Sequence, residues 1–466
     1  MFGLSIRDAA TAMRARISGC PVDDPILGRP FPEISIDSRT LHSGEGFFAL
    51  LGERLDGHRF LAQAVQAGAS ALVVQREPLE PLPTGLPILV VEDTTRALQD
   101  LARRLREVWG GRLIAITGSM GKTTTRDFTT RLLSQRLGVL QSRGNFNNHI
   151  GLPLSLSRLQ RTHDVAVVEL GMNHAGEIDR LGRICRPDLA LITNIAPVHL
   201  EHFGSLEAIA RAKGEILRSL PPEGCFVFNG DDPKARSLAG SFPGPVVSFG
   251  FEPGVDYRVS EWAIEDLSGM HFRLEGPNLS LSGRLGVLGK HFLYNAVAAV
   301  AVAARLALDP DEISRGLAVL TALEGRGQLQ SMGPVRLWDD SYNSNPRALE
   351  SVLETIALLR APARKVLVLG DMLELGPEAP ELHRQVGRRA AGVADLLITV
   401  GRLAEQLRAG AVESGFPAER TRHFASAEEA AEALPALLCE GDLVLIKASR
   451  GIHLDLVVDA MAGGVR

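Results

Sequence analysis

Short apolar runs separated by helix-patterned segments recur along most of the chain. The runs are rich in β-branched side chains, which is typical of strands buried inside a parallel sheet. The clearest runs are residues 71–74, 113–116, 165–168, 189–193, 365–369, 396–400 and 443–446. Their alternation with helical patterns predicts an α/β protein whose helices pack against parallel sheets.

The chain of 466 residues is longer than one hydrophobic core serves, so we expect three domains. Residues 1–84 are predicted to form a small N-terminal α/β domain, with a proline-rich linker at residues 78–87. Residues 85–321 are predicted to form a central parallel sheet. Residues 322–466 are predicted to form a C-terminal Rossmann-like domain.

Two segments of the middle domain depart from the alternation of strands and helices. Residues 255–285 alternate apolar and polar positions, which predicts an antiparallel insertion without chemistry of its own. Residues 296–308 are apolar and alanine-rich, but the stretch is too short to span a bilayer and contains Arg305. We therefore expect a helix in the protein core.

A glycine-rich turn follows the apolar run at residues 113–116. Its residues are Thr117, Gly118, Ser119, Met120, Gly121, Lys122, Thr123 and Thr124. Phe128 and Leu133 then share a helical face, and Gly138 is the expected end of that helix. A strand, such a turn and a helix form a phosphate-binding loop, in which backbone N–H groups and the helix N-terminus hold an anion. Lys122 would contact the β- and γ-phosphates, and the Thr123 hydroxyl would bind Mg²⁺.

The loop is a variant of the common pattern G-x-x-x-x-G-K-[ST]. Ile116 stands where the first glycine of that pattern would be. An ordinary strand-to-helix turn with a chance Gly-Lys-Thr is the alternative. The strand before the turn and the helix after it favour a nucleotide site.

Composition, net charge and the spacing of the cysteines exclude several classes of protein. Hydrophobic residues make up 45% and charged residues 23%, which is globular, and the net charge of −5 argues against nucleic-acid and membrane-surface partners. The cysteines are Cys20, Cys185, Cys225 and Cys439. They form no CxxC pair, so we expect reduced thiols in a cytoplasmic protein, with no disulfide or zinc site. No signal peptide is expected at the N-terminus.

Three ionisable side chains of the middle domain are expected close to the phosphates. Glu169 ends the run at residues 165–168, and His199 follows the run at residues 189–193. Ligands of open parallel sheets bind beyond the carboxyl ends of the strands, so both could bind a metal ion, although a solvated acid or a structural histidine is the alternative. Lys213 lies on a mostly apolar helical face; it either reaches water or, if buried, has a lowered pKa and a reactive amine.

Polar loops suggest further contacts. The amides of Asn147 and Asn148 could hydrogen-bond a polar ligand or cap turns. Ser38, Arg39 and His58 suit a diphosphate or a sugar, or belong to two solvated turns. Other polar loops lie at residues 324–327, 339–346, 370–376 and 447–450, and the residues alone do not name their ligands.

These motifs, in this order, resemble those of the ATP-dependent Mur ligases of peptidoglycan synthesis over essentially the whole chain. The phosphate-binding loop and residues 212–216 resemble motifs of the whole family, and residues 340–346 and 369–376 resemble the branch that adds a dipeptide. The resemblance implies that ATP phosphorylates the terminal carboxylate of UDP-N-acetylmuramoyl-tripeptide. The amine of D-alanyl-D-alanine would then attack the acyl phosphate. We expect a monomer that uses ATP and Mg²⁺ and binds these small molecules, with no nucleic-acid partner and no membrane insertion.

The resemblance also implies residue roles. The catalytic residues would be Lys122, Glu169, His199 and Lys213. The Mg²⁺ ligands would be Thr123, Glu169, His199 and Lys213, the last as a carbamate formed with CO₂. The ATP contacts would be residues 117–124, His291, Asn295, Arg326 and Asp340. The UDP-substrate contacts would be Ser38, Arg39, His58, Asn147 and Asn148, and the dipeptide contacts would be Lys447, Ser449 and Arg450.

Three positions differ from the family pattern. Phe292 stands after His291 where asparagine is usual, Ala448 stands where glycine is usual, and Asp455 stands where glutamate is common. The first concerns the nucleotide contacts and the other two concern the dipeptide end.

Two alternatives remain at this point. The first is a relative that adds a single amino acid, or a folate polyglutamylating ligase; residues 345–347 (Asn-Pro-Arg) superficially resemble a motif of the diaminopimelate-adding branch. The second is a binding module that senses a nucleotide without forming a bond. Such a module would not need Glu169, His199 and Lys213 at one sheet edge.

Overall fold

The computed structural model describes residues 3–52, 54–79, 82–197, 203–359 and 364–463. Within these ranges the strands form three sheets of five, nine and six strands, which follow one another along the chain. The predicted α/β class with three domains is confirmed. None of the helices in the described ranges combines the length and the apolar character that crossing a bilayer requires.

The first sheet is mostly parallel, with strand order β1-β5-β4-β3-β2 and β1 antiparallel to β5. Its strands are β1 (Arg16–Ser18), β2 (Ile34–Ser35), β3 (Gly46–Phe48), β4 (Ala71–Val74) and β5 (Ile88–Val90). Its helices are α1 (Ile6–Ala12), α2 (Leu61–Gln66) and α3 (Thr94–Trp109).

The predicted boundary at residue 84 is too early. Strand β5 pairs with β4 in register Val73↔Leu89, so the first sheet continues past residue 84. The proline-rich run at residues 78–87 therefore joins two strands of one sheet and is not a linker between domains. A three-residue strand after prolines carries too short a pattern to be recognised.

Helix α3 connects the first domain to the second. Leu98, Leu101 and Leu105 pack in the core of the first domain, whereas Ala102 belongs to the core of the second. The buried Arg106, on the same helix, donates from Nη2 to Asp188 Oδ2 of the second domain at 2.7 Å. One helix thus contributes side chains to two cores.

The second sheet has the strand order β14-β13-β12-β11-β10-β9-β6-β8-β7. Its strands are β6 (Arg112–Thr117), β7 (Val139–Gln141), β8 (Val165–Glu169), β9 (Leu189–Ile192), β10 (Cys225–Asn229), β11 (Val246–Gly250), β12 (Tyr257–Asp266), β13 (Gly269–Gly276) and β14 (Leu279–Leu285). Its helices are α4 (Lys122–Leu133), α5 (Gly151–Leu156), α6 (Glu177–Cys185), α7 (Leu206–Gly214), α8 (Pro233–Ser241), α9 (Lys290–Arg305) and α10 (Pro310–Ala318).

Helices cover both faces of this sheet. Alternate residues of each parallel strand contribute to different cores, as Ile114 and Ala115 of β6 do. Helix α9 is the predicted core helix, and its residues 295–303 are all buried. The predicted antiparallel segment forms β12 to β14, but β12 pairs parallel with β11, so the segment extends the main sheet.

Helix α4 ends earlier than predicted. Its last residue is Leu133, and Gly138 precedes β7 instead of ending the helix. A side chain at Gly138 would meet the carbonyl oxygen of Thr162 at 2.0 Å, which explains the glycine.

The third sheet has the strand order β15-β16-β20-β17-β18-β19 and is parallel except for the edge strand β15. Its strands are β15 (Gln328–Met332), β16 (Val335–Asp339), β17 (Lys365–Gly370), β18 (Leu396–Val400), β19 (Thr421–Phe424) and β20 (Leu443–Lys447). Its helices are α11 (Pro346–Leu358), α12 (Ala379–Ala391), α13 (Ala404–Glu413), α14 (Ala427–Ala433) and α15 (Asp455–Gly463). The boundary predicted at residues 321/322 falls between α10 and β15.

Close packing of α12 on α13 depends on a glycine. A Cβ at Gly387 would lie 1.9 Å from the carbonyl oxygen of Leu407, so Gly387→Ala should destabilise the protein by about 1–3 kcal/mol through overpacking. Gly240, in α8, is the matched control because a Cβ there meets nothing within 4 Å. Gly240→Ala should leave stability unchanged or raise it by up to about 1 kcal/mol. The midpoints of urea unfolding measure both effects, and equal shifts would contradict this packing.

Candidate active site

A cavity of about 830 Å³ lies between the carboxyl ends of the second sheet and the third domain. We call it the main cavity. The predicted residues that line it are Ser119, Met120, Gly121, Lys122, Thr123, Thr124, Asn147, Glu169, His291, Asn295, Arg326, Asp340 and Lys447. These residues come from distant parts of the sequence, and the fold brings them to one place.

The loop between β6 and α4 needs both of its glycines. Gly118 has φ +149° and a Cβ there would meet Thr193 Oγ1 at 1.9 Å. Gly121 has φ +78°, a left-handed conformation, and a Cβ there would meet Asn295 Oδ1 at 2.5 Å. The loop is therefore held against β9 on one side and α9 on the other.

The backbone donors of the loop differ from the prediction. Ser119 N–H donates to the carbonyl oxygen of Asn194 at 2.9 Å, and Met120 N–H donates to Asn194 Oδ1 at 3.0 Å. Neither N–H is therefore directed at an anion. The first turn of α4, residues 122–124, supplies the N–H groups that have no carbonyl within the helix. This turn therefore offers the donors that an anion would need.

Lys122 is the cation at this helix N-terminus. Its Nζ donates to the carbonyl oxygen of Gly118 at 2.9 Å. Burial lowers the pKa of Lys122, and the carboxylate of Glu169 opposes that shift. A cation beside free helix N–H groups suits a phosphate.

Glu169 is a buried carboxylate at the end of β8, with 2% of its surface exposed. Thr123 Oγ1 donates to Oε2 at 2.9 Å, and Asn147 Nδ2 donates to Oε1 at 2.8 Å. Arg126 Nη1 lies 3.8 Å from Oε2. The predicted proximity of Glu169 to the phosphate-binding loop is thus seen directly.

Sequence reasoning missed Arg126. It lies on α4 one turn after Lys122, and 5% of its surface is exposed. Burial lowers the pKa of Arg126, and Glu169 opposes that shift. Its spacing of four residues from Lys122 was a usable signal, because residues four apart share one face of a helix.

Lys213 is 2% exposed and lies at the end of α7. Within the described part of the chain, its amine forms no hydrogen bond and no ion pair. Burial lowers the pKa of Lys213 well below its ordinary value, and the nearby cation of Lys122 lowers it further. A buried lysine in this setting favours its neutral amine form.

His199 lies outside the described residues, so its expected place beside Glu169 stays a prediction. Among the residues that are described, no group of three His, Cys, Asp or Glu side chains could hold a metal ion. The pair Thr123 and Glu169 nevertheless presents hydroxyl and carboxylate oxygens, the ligand chemistry of Mg²⁺.

His291 lies at the wall between the second and third domains. Its Nδ1 is 3.3 Å from Ser351 Oγ of α11. Burial, with the cation of Lys447, lowers the pKa of His291 to about 4, so the ring is neutral at pH 7. Phe292, the first departure from the family pattern, is 2% exposed and packs its ring 6.2 Å from that of Phe128.

The third domain contributes a pair of opposite charges. Lys447 Nζ donates to Asp340 Oδ2 at 2.6 Å and to the carbonyl oxygen of Asn343 at 2.8 Å. Burial raises the pKa of Asp340, and Lys447 and Arg326 oppose that shift. The residue predicted to face the dipeptide therefore contacts the residue predicted to face the nucleotide.

Arg326 and Arg450 lie against one aromatic ring. The Arg326 guanidinium carbon lies 4.0 Å from the centre of the Tyr342 ring, and that of Arg450 lies 5.1 Å from it. Arg450 Nη1 also donates to the Tyr342 hydroxyl at 3.0 Å. Arg450 does not line the main cavity, whereas Arg326 and Tyr342 do.

Several predicted residues make structural contacts outside the main cavity. Ser449 Oγ donates to the carbonyl oxygen of Ser344 at 3.2 Å and accepts from Leu373 N–H at 2.9 Å. Asn148 Oδ1 accepts from the N–H groups of residues 150 and 151 and thus caps a turn. The other two departures from the family pattern fit the fold. Ala448 packs against Gly370, where a Cβ would lie only 2.6 Å from Ala448 Cβ. Asp455 is exposed and begins α15.

The predicted substrate residues of the first domain are also held by local contacts. His58 Nδ1 lies 2.7 Å from Asp56 Oδ1, and His58 Nε2 accepts from Gln75 N–H at 2.8 Å. Ser38 Oγ donates to a glutamine at 3.0 Å. Arg39 pairs with Asp37 but leaves 81% of its side chain exposed, so it is the most accessible of the three.

The far end of the main cavity contains residues that sequence reasoning did not identify. Asp231 Oδ2 accepts from the Tyr294 hydroxyl at 2.7 Å, and the Lys290 ammonium lies 4.5 Å from the centre of the Phe251 ring. Burial raises the pKa of Tyr294, and its hydrogen bond to Asp231 adds to the shift. Tyr294 stands next to Asn295 in sequence, and this proximity could have predicted that it lines the same cavity.

Asn345 caps α11 by accepting a hydrogen bond from Ala348 N–H at 2.9 Å, so its resemblance to an amino-acid-binding motif reflects a helix cap.

Family models match most of the chain. The Mur ligase middle domain matches residues 116–303, the glutamate ligase domain of Mur ligases matches residues 325–450, and the catalytic domain of the Mur ligase family matches residues 31–106.

The chain is also similar to individual relatives. It is 35% identical to the UDP-N-acetylmuramoyl-tripeptide–D-alanyl-D-alanine ligase of Bacillus subtilis, over 91% of this chain and 92% of that protein. It is 38% identical to the enzyme of the same name from Escherichia coli, over 92% and 93%. The crystal structure of MurF from Acinetobacter baumannii has a TM-score of 0.87 at 33% identity, with 98% of each chain covered. A MurF ligase from Thermotoga maritima in complex with ADP has a TM-score of 0.80 at 28% identity, over 93% of this chain and 98% of that one.

The cation at the start of α4 provides a test of the site. Lys122→Met should weaken ATP binding about tenfold to hundredfold, because a charged hydrogen-bond donor to phosphate is lost. Titration calorimetry with ATP measures the loss, and thermal unfolding checks the fold. The matched control is Lys365→Met, since Lys365 Nζ donates to the carbonyl oxygen of Ile356 outside the main cavity. An unchanged affinity in the Lys122 variant would remove the phosphate assignment.

Proposed function

The chain belongs to the Mur ligase family, and we propose that it is the ATP-dependent ligase that joins D-alanyl-D-alanine to UDP-N-acetylmuramoyl-tripeptide in peptidoglycan synthesis. The observation that carries this function is similarity over more than nine-tenths of the chain to curated enzymes of that activity. The main cavity supplies the chemistry that the reaction needs. A phosphate-binding helix N-terminus, a buried carboxylate and cations from the third domain meet there.

The reaction has two steps. An oxygen of the acceptor's terminal carboxylate attacks the γ-phosphorus of ATP, the bond to the β-phosphate oxygen breaks, and ADP leaves. The amine of D-alanyl-D-alanine then attacks the acyl carbon and loses a proton. The bond from that carbon to the phosphorylated oxygen breaks, so that phosphate leaves and an amide remains.

The residues of the chain position and neutralise the charges of these steps. We assign Lys122 and the N–H groups of residues 122–124 to the β- and γ-phosphates, with Arg326 facing them from the third domain. Charge neutralisation and alignment are the main contributions a protein makes to phosphoryl transfer. His291, Asn295 and Asp340 line the same cavity and are assigned to the nucleotide.

The donor set fits Mg²⁺, which we propose as the cofactor beside ATP. Thr123 and Glu169 would hold it through oxygen atoms, with His199 as a further ligand. When bound, such an ion screens the charge of the phosphate oxygens.

We assign Lys213 a chemical modification. Its buried amine lies without a counter-charge among the described residues, and its pKa is lowered. Reaction of the neutral amine with CO₂ releases a proton and forms a carbamate, whose negative oxygens could bind Mg²⁺. The carbamate also replaces a charge repelled by Lys122 with one attracted to it.

For the UDP-linked acceptor and for the incoming dipeptide, we propose groups of contacting residues without assigning a role to each. The exposed Arg39, with Ser38 and His58, is proposed for the UDP end, and Asn147 and Asn148 for the peptide. Lys447, Ser449 and Arg450 are proposed for the incoming dipeptide. A monomer is proposed because one chain carries the whole cavity, and a cytoplasmic location because its cysteines are free thiols.

Turnover tests the assigned reaction. Sustained ADP release over many turnovers should require both UDP-N-acetylmuramoyl-tripeptide and D-alanyl-D-alanine, since the acceptor alone supports only the first step, and the product mass should equal their sum minus one water. Free diaminopimelate, L-glutamate and glycine are the control amines. A product with one of them instead of the dipeptide would assign the chain to another branch, and no release with any amine would favour a nucleotide-binding module.

The carbamate makes a separate prediction. Lys213→Arg keeps a positive charge but cannot form the carbamate, so its turnover should fall at least about a hundredfold, as when a group that stabilises developing charge is lost. Lys213→Ala should be equally inactive and should recover turnover when acetate or formate is added. Lys122→Ala is the matched control, because a carboxylate cannot replace its cation. An active arginine variant, or an alanine variant that no carboxylate restores, would contradict carbamate formation.

A further inference from the structure

A second cavity, also of about 830 Å³, lies where the three domains meet. The first domain contributes Glu33, the second contributes Arg126, Arg143 and Arg158, and the segment that leads into the third contributes Arg326. We call it the arginine cavity. Thr123, Arg326 and Tyr342 line both cavities, so the two are neighbours across the start of α4.

The lining of the arginine cavity carries an excess of positive charge. Its four arginines, Arg126, Arg143, Arg158 and Arg326, face three carboxylates, Glu33, Asp127 and Glu324. One of those carboxylates is already engaged, because Arg131 Nε lies 2.7 Å from Asp127 Oδ2. The proposed catalytic steps do not use Arg126, Arg143 or Arg158.

The arginines of the outer wall are available to a ligand. Within the described residues, the guanidinium groups of Arg143 and Arg158 form no hydrogen bond and no ion pair. Burial lowers the pKa of Arg158, the charge of Arg143 lowers it further, and the charge of Glu33 opposes the shift. Two neighbouring guanidinium groups whose donors have no acceptor among the described residues suit an anion bound between them.

The inner wall gives an independent sign of a ligand. Arg126 is 5% exposed, and its Nη1 donates to the carbonyl oxygen of Gly144 at 2.7 Å. Its Nε, however, is buried without a hydrogen-bond partner in the described part of the chain. Buried donors are rarely left unpaired, and the side chain lines the cavity.

The position of the arginine cavity indicates which part of the acceptor can reach it. It borders Thr123, at the phosphate-binding turn, so the peptide end of the acceptor lies nearest. Three extended residues span about 10 Å, which places the diphosphate well away from this turn. An anion of the acceptor that reaches the arginines would therefore be a carboxylate of the peptide.

We propose that Arg143 and Arg158, supported by Arg126, bind a second carboxylate of the acceptor, on the side chain of its third residue. This inference rests on the proposed function, since it concerns the same acceptor. The site selects a third residue whose side chain ends in a carboxylate, as in diaminopimelate. Both side chains carry an ammonium, but only diaminopimelate has a carboxylate beside it, so a lysine there would bring an uncompensated positive charge toward the arginines, which repel it. Arg143 and Arg158 are thus specificity-determining residues.

Kinetics with two acceptors test the assignment. The purified full-length protein is assayed with the diaminopimelate and the lysine forms of UDP-N-acetylmuramoyl-tripeptide, at saturating ATP and D-alanyl-D-alanine. The wild type should favour the diaminopimelate form about tenfold or more in kcat/KM, the value of one charged hydrogen bond. Arg143→Ala and Arg158→Gln should each raise KM for that form about tenfold, leave KM for ATP within about twofold, and leave KM for the lysine form unchanged or lower it, because a repelling charge is removed.

Arg112→Ala is the matched control, because it removes an exposed arginine from the opposite end of β6. Equal losses with both acceptors in the cavity variants would overturn the assignment to the third residue, because the arginines would then bind a group that both acceptors share. Weaker inhibition by free UDP in these variants would overturn it in favour of the diphosphate. No change with either acceptor would remove the subsite altogether.

Calorimetric binding of the two acceptors in the absence of the dipeptide gives the same comparison without turnover. If the wild type shows no ligase activity, the proposed function fails. The subsite is then judged from binding alone, and an equal affinity for the two acceptors would overturn it. Arg143 is exposed on a loop, so its variant should keep the wild-type thermal unfolding midpoint.

Discussion

The carboxylate of Glu169 is the charge on which the arrangement of the site depends. It is buried at the carboxyl end of β8 and accepts hydrogen bonds from a threonine of the phosphate-binding helix and an asparagine of the amide-rich loop. An unpaired carboxylate buried here would reduce the free energy of unfolding, so the charge of Glu169 requires both of these hydrogen-bond partners. Arg126, on the same helix as Thr123, approaches the same carboxylate oxygen and lines the arginine cavity. Glu169 thus brings together Thr123 at the helix N-terminus, the amide of Asn147 and the guanidinium of Arg126.

The third domain completes the site through contacts between groups that are distant in sequence. Lys447 and Asp340 are 107 residues apart and meet at 2.6 Å, and His291 reaches across the domain boundary to Ser351. Arg326 belongs to the segment that joins the two domains and stacks on Tyr342. Because the contact of His291 with Ser351 joins opposite walls of the cavity, the position of the third domain affects both charge balance and access of water to a reactive acyl phosphate.

The sequence predicted the fold class and much of the site, because local patterns carried that information. A strand, a glycine-rich turn and a helix identify the phosphate-binding loop, and Glu169 at a strand end is expected near it. The prediction that the N–H groups of the loop point at an anion differs from the structure at Ser119 and Met120, because both donate to Asn194, which follows β9. The short strand β5 has no periodicity to read. The contacts of His58 and the place of Arg126 depend on which elements pack together, and no local pattern gives that.

Helix α3 has a consequence for how the three domains move. Its leucines belong to the first core and Ala102 to the second, while Gln99 donates to the carbonyl oxygen of His149 at 2.8 Å and accepts from Arg180 at 2.9 Å. Separating the first domain from the second would expose apolar surface and break these buried bonds at once. The second and third domains are joined in a different way, because Phe128 and Phe292 of the second and Trp338 of the third belong to one apolar core. A helix shared by two cores couples the first domain to the second, so a motion that opens one of these cores also disturbs the other.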